Sequence, residues 1–173
     1  MAHRTSVRSE RLLKWLQDAY AMEQEAETMM KAMASRIENY PHLAARIGQH
    51  VQETQQQAAS LRECIEALGG SVPTAKGLFA SMTAAIHAAG NSLMEDEVVK
   101  SIGISFGFEN TEIATYRALV IAAERAGAHD IAAVCGQILQ EEVAMARWLE
   151  DHQDGLVGAF LHRDETPGAQ AKR

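Results

Sequence analysis

Apolar residues recur along most of the chain at intervals of three and four, the spacing that lines one face of an α-helix. Leu12, Leu16, Ala19, Tyr20, Ala26, Met30, Met33 and Ile37 predict a first helix from Ser6 to Asn39, and Pro41 both closes it and suits the first turn of the next. The second follows Leu43, Ile47, His50, Thr54, Ala58, Leu61, Ile65 and Leu68 and stops at the Gly69-Gly70 pair. A stripe through Val98, Ile102, Phe106, Ile113, Tyr116, Val120 and Ala123 predicts a third helix from Asp96 to Gly127. The fourth runs from Asp130 to His152, with Ile131, Val134, Ile138, Glu142, Met145 and Leu149 in line.

Residues 71–95 break this pattern. Ser71-Val72-Pro73-Thr74 reads as a turn, Leu78, Phe79, Met82 and Ile86 as a short helix, and Gly90-Asn91 as a second interruption. Because these apolar residues need a surface to cover, the segment reads as a long crossover within one domain and not as a linker between two. Gly155, Gly158, Pro167 and Gly168 punctuate the C-terminal stretch, which predicts a single domain over residues 1–160 and a flexible tail over 161–173. Two helical hairpins joined by one long connection is the layout of an all-α, ferritin-like four-helix bundle.

Acids interrupt the apolar stripes at mid-length. Glu109 and Glu112 fall on the core-facing side of the third helix, Glu23 on that of the first, Glu53 beside His50 on the second, and Glu142 on the fourth. With turns centred near residues 40 and 127, Glu23 faces the level of position 57, within about a helical turn of Glu53, while Glu112 faces position 143 beside Glu142. Taken singly, each has an ordinary explanation: an edge position for Glu23, a base such as Arg62 for Glu53, a surface site for Glu142, a hydrogen-bonded core histidine for His50. Taken together they do not, because an ionised carboxylate leaves water only at high cost unless a cation meets it. No Lys or Arg stands on these stripes near mid-helix. Two divalent ions would offset most of the charge.

Composition narrows the chemistry. The 173 residues carry a net charge of -7, which disfavours nucleic acid and anionic membranes as partners and suits metal cations. No apolar stretch reaches the roughly 20 residues of a membrane span. The basic N-terminus lacks the apolar core of a secretory signal, so a cytoplasmic location is expected. Cys64 and Cys135 form no paired motif and read as buried free thiols. Carboxylates with at most one imidazole suit iron or manganese and do not make a closed zinc site, although zinc can substitute. There is no glycine-rich phosphate loop and no nucleophile–base pair.

Asp18-Ala-Tyr20-Ala-Met-Glu23, His50-x-x-Glu53-Thr54 followed by Leu61, Glu109-x-x-Glu112-Ile113-Ala114-x-Tyr116 and Leu139-x-Glu141-Glu142 form an ordered set from about Leu12 to Leu149. This set resembles the YciE/YciF group of ferritin-like, stress-associated bacterial proteins. The resemblance implies a four-helix core, a homodimer and a two-metal centre of iron or manganese built from Glu23, Glu53, Glu109, Glu112 and Glu142, with His50 as a further ligand. It implies no established reaction. Asn110, Gln56, Met145 and Ala146 stand where that group, or ferritin-like sites in general, often carry histidine or acid.

Two functions follow. One is a non-haem di-iron or di-manganese protein that handles oxygen or peroxide, or oxidises ferrous iron, with Tyr20 and Tyr116 within a turn of ligands as candidate hydrogen-bonding or electron-relay groups. The other is a metal-free helical interaction protein with a degenerate site.

Overall fold

A computed structural model describes residues 7–73 and 94–171. They form four long helices: α1 Val7–Ala34, α2 Pro41–Ala67, α3 Glu97–Ala126 and α4 His129–Asp164. Two glycines are required by the turns they make. Gly69 (φ 76°) and Gly127 (φ 74°) adopt the left-handed conformation that closes α2 and α3. The next amide in each case reaches back five residues, Gly70 N–H to the Ile65 carbonyl at 3.0 Å and Ala128 N–H to that of Ala123 at 2.9 Å.

Three long-range contacts fix the topology. Arg36 Nε lies 2.6 Å from Glu97 Oε1, joining the end of α1 to the start of α3, and Arg8 Nη1 donates to the Arg125 carbonyl at 3.1 Å at the opposite end. Gln17 donates to the Ser71 carbonyl at 2.8 Å, placing the exit of α2 beside the early part of α1. The connection between α2 and α3 therefore joins opposite ends of the bundle. Its proposed short helix at 78–86 lies outside the described residues. Neighbouring helices pack α1 on α2, α3 on α4, α1 on α3 and α2 on α4, all antiparallel.

Two apolar clusters occupy the two halves of the interior. One holds Leu12, Leu16, Leu61, Ile65, Leu119 and Ile138; the other holds Met30, Leu43, Ile47, Ile102, Met145 and Leu149. Each fully buried Leu or Ile contributes on the order of 2 kcal/mol over an exposed one, so these clusters stabilise a bundle whose middle is polar. Glu23, His50, Thr54, Gln57, Glu109, Glu112 and Glu142 form that middle and are all buried.

The sequence pattern needs correction in places. Phe106 is 36% exposed, while Ser101, Ser105 and Leu119 are buried on α3 instead, because the inward face tracks the spacing of Glu109, Glu112 and Tyr116. α1 ends at Ala34, five residues early, in a tightened turn where the Arg36 amide bonds the Met33 carbonyl at 3.0 Å. α4 continues past His152 to Asp164. A glycine inside a helix costs about 1 kcal/mol relative to alanine. Gly155 and Gly158 are exposed there, and burial of Phe160 with partial burial of Leu156 in the second cluster offsets the cost. Beyond α4, where the sequence predicts a tail, Tyr40 donates its hydroxyl to the Ala171 carbonyl and Ala171 is buried. Cys64 and Cys135 are free and buried, and burial pushes the Cys135 thiol up to about 12. Among the described residues no helix is long and apolar enough to cross a membrane.

Candidate metal centre

α3 supplies two of the acids. Glu109 and Glu112 are three residues apart on one helix face, and both turn into the bundle between the apolar clusters. Glu109 Oε2 lies 3.1 Å from His50 Nε2; burial raises its carboxyl to about 7 against the lowering pull of that imidazole. Glu112 is raised well above the usual carboxylate range, first by burial and then by the charges of Glu23 and Glu142.

α4 contributes Glu142, whose Oε1 accepts a hydrogen bond from Gln57 Nε2 at 2.6 Å. Its Oε2 sits 3.3 Å from His50 Nε2. The Gln57 amide also donates to Glu141 Oε2 at 2.9 Å, so it clamps the centre to the rim of the bundle. α1 contributes Glu23, and Tyr116 of α3 donates its hydroxyl to Glu23 Oε1. Burial raises the Glu23 carboxyl to about 8, reinforced by Glu142 and opposed by Tyr116 and His50.

His50 of α2 is enclosed by carboxylates on both sides. Burial alone would lower its pKa, but Glu109 and Glu142 outweigh it and raise it to about 11. Its Nδ1 lies 2.7 Å from Glu53 Oε2. Ligand atoms of His50, Glu109, Glu112 and Glu142 all lie within 4.8 Å of one another, and all four residues are buried.

Two predicted ligands stand apart from this group. Glu23 borders it, close enough for its charge to raise Glu112. Glu53 faces the other way: its side chain is 23% exposed, Arg46 Nη1 lies 3.1 Å from Oε2, and Gln49 Nε2 donates to Oε1 at 2.8 Å. Burial would raise its carboxyl, but His50 and Arg46 bring it below the usual value. The base is Arg46, two turns before Glu53, and not Arg62. Arg62 instead donates to the Tyr20 hydroxyl at 2.8 Å, with its guanidinium 5.7 Å from the centre of the Tyr20 ring. Of the two tyrosines, Tyr116 touches a candidate ligand and Tyr20 is engaged by a base. Asn110 and Gln56 are exposed, and Met145 and Ala146 are buried beside the second cluster and Glu142.

The donor set fits a metal. Glu23 Oε2, Glu112 Oε1 and Gln57 Oε1, from three of the helices, are buried oxygens with no hydrogen-bond partner among the described residues, and Glu142 Oε2 on the fourth has only the 3.3 Å approach of His50 Nε2. Orphaned acceptors in a dry interior each cost about 1–3 kcal/mol. A hard or intermediate cation takes up oxygen lone pairs of this kind, and the single imidazole is consistent with iron or manganese.

Comparison with known proteins agrees with the fold. A crystal structure of a protein from Xanthomonas campestris pv. campestris str. ATCC 33913 shares 55% identity, covers 92% of this chain and 99% of its own, and superposes with a TM-score of 0.80. The E. coli stress protein YciF, at 21% identity, covers 88% of this chain and 98% of its own with a TM-score of 0.77. An archaeal Dps homologue from Halobacterium salinarum, at 18% identity, covers 84% and 81% with a TM-score of 0.71, which establishes a ferritin-like fold. The family model described as "Domain of unknown function (DUF892)" matches residues 7–162, and the chain, with its ferritin-like bundle and buried His/Glu cluster, belongs to that family.

Proposed function

We propose that the chain is a ferritin-like metal-binding protein whose centre holds two iron or manganese ions between Glu23, His50, Glu109, Glu112 and Glu142. The observation that carries this reading is the convergence of four buried ligand groups within 4.8 Å, with orphaned oxygens on Glu112 and neighbouring Glu23. Bound ions of this kind supply one-electron chemistry toward oxygen, peroxide or ferrous iron. The protein's own residues bind and orient. Tyr116 holds one oxygen of Glu23 and leaves the other directed inward, Gln57 does the same for Glu142, and the flanking apolar clusters exclude water. The reading extends to a cytoplasmic homodimer and to a role in stress, the last in line with the name of the E. coli relative.

Metal analysis of protein made in iron- or manganese-supplemented cells tests the proposal. Stoichiometric metal that is lost in Glu109→Ala is expected. At a free metal concentration 100 times Kd, binding adds about 2.7 kcal/mol, so a chelator should lower Tm by roughly 5–10 °C. A metal-free protein whose Tm ignores both chelator and added iron would overturn it.

One observation favours a second reading. Both ring nitrogens of His50 already face carboxylates, so a protonated His50 can serve as a resident cation in a metal-free scaffold. Under that reading Glu109→Ala changes stability but no metal content.

A further inference from the structure

The geometry points to Glu53 as a positioning residue that orients His50 from outside the centre, an inference that rests on the metal-binding reading above. His50 is 1% exposed and its two nitrogens face opposite ways, Nε2 toward Glu109 and Glu142 and Nδ1 toward Glu53. With Nδ1–H committed to Glu53, Nε2 is the nitrogen left to coordinate. A histidine that binds metal commonly donates its other N–H to a carboxylate, which fixes the ring's tautomer and tilt.

The bonding of Glu53 separates it from Glu23 and Glu112. Both of its oxygens are taken, Oε1 by Gln49 and Oε2 by Arg46 and His50. Glu23 and Glu112 each keep one buried oxygen without a partner, and Glu53 keeps none. To enter the centre, Glu53 would have to break a charge-assisted pair with a guanidinium that is only 12% exposed, and leave that cation behind. The arrangement is also local. Arg46, Gln49, His50 and Glu53 lie on one face of α2 at spacings of three, four and seven, so a single helix builds the whole device.

Zinc(II), a diamagnetic probe, allows the test on the full-length chain. Titration of wild type, Glu53→Gln and Glu109→Gln should give E53Q the wild-type zinc stoichiometry with affinity weakened about 10- to 100-fold, as expected for an outer partner. E109Q should lose stoichiometry. Nitrogen-15 NMR of the zinc-loaded wild type should show His50 Nε2 bound to metal and an Nδ1–H proton shifted far downfield and slow to exchange with water, the mark of a bond to a carboxylate; an Nδ1–H that exchanges freely would mean that Glu53 does not hold the ring. This readout needs no variant, so misfolding of E53Q leaves the test intact. Loss of zinc stoichiometry in folded E53Q, matching E109Q, or metal on Nδ1, overturns the inference and leaves the metal centre standing. A wild-type chain that takes up neither zinc nor manganese overturns both.

Discussion

The two sides of the polar middle solve the same electrostatic problem differently. On the His50 side, every charge has an answer: Glu53 meets Arg46 and His50, and Glu109 meets the other face of the ring. On the Glu23 side, Glu23 and Glu112 meet a tyrosine hydroxyl and each other, and no cationic side chain bonds to them among the described residues. The first side is complete as protein. The second is completed either by protons or by metal, which is why the raised carboxyls of Glu23 and Glu112 mark where a cation has most to gain.

His50→Ala should break the comparison most severely. It leaves Glu109 buried without its cationic partner and removes a bond to Glu53, and breaking a buried pair typically costs about 3–5 kcal/mol. Urea unfolding of the metal-free variant at neutral pH checks this; a loss below about 1 kcal/mol would mean that the ring is not a charged partner. Tyr116→Phe should cost less. It orphans the second Glu23 oxygen, a penalty of about 1–3 kcal/mol that added manganese should partly restore. If the metal-free variant melts with the wild type, the hydroxyl does not hold Glu23.

The pH dependence has a sign that sets Glu53 apart from the other buried groups of the centre. Glu23 and Glu109, raised to about 8 and about 7 from 4.5, contribute stability that is fully present below about pH 4.5 and lost as pH rises through 7 and 8. His50 adds to the same trend, with its contribution present below 6.5 and lost only as pH rises through about 11. Glu53, lowered, behaves oppositely: its contribution is present above 4.5 and lost as pH falls. The metal-free Tm should therefore decline between about pH 5 and 9, and Glu23→Gln should flatten the decline. Metal affinity should rise over the same interval, because the ligands must give up protons to bind. A metal-free Tm that increases across that interval would contradict the assignment.

Much of this was legible in the sequence because helical periodicity fixes both face and depth. Glu23, His50, Glu53, Glu109, Glu112 and Glu142 are predicted on core stripes at mid-length, and all but Glu53 are buried there. Periodicity does not fix rotamers. Glu53 shares the edge of the stripe with His50, and whether its long side chain turns inward or toward Arg46 depends on packing that spacing does not encode. The Tyr20–Arg62 contact is hidden for the same reason. Glu97, buried and paired with Arg36, continues the spacing of 101, 105 and 109, a signal that an apolar-only stripe overlooks. The extra length of α4 was obscured by Gly155 and Gly158, whose helix-breaking tendency is weaker than the burial of Phe160.

The end-to-end connection between α2 and α3 divides the chain into two hairpins, each closed by its own tight turn. Glu23 and His50 come from the first, and Glu109, Glu112 and Glu142 from the second. Neither half owns a full coordination sphere. An ion seated among them would act as a rivet between the hairpins, so loading the centre and holding the molecule's two halves in register would be one event.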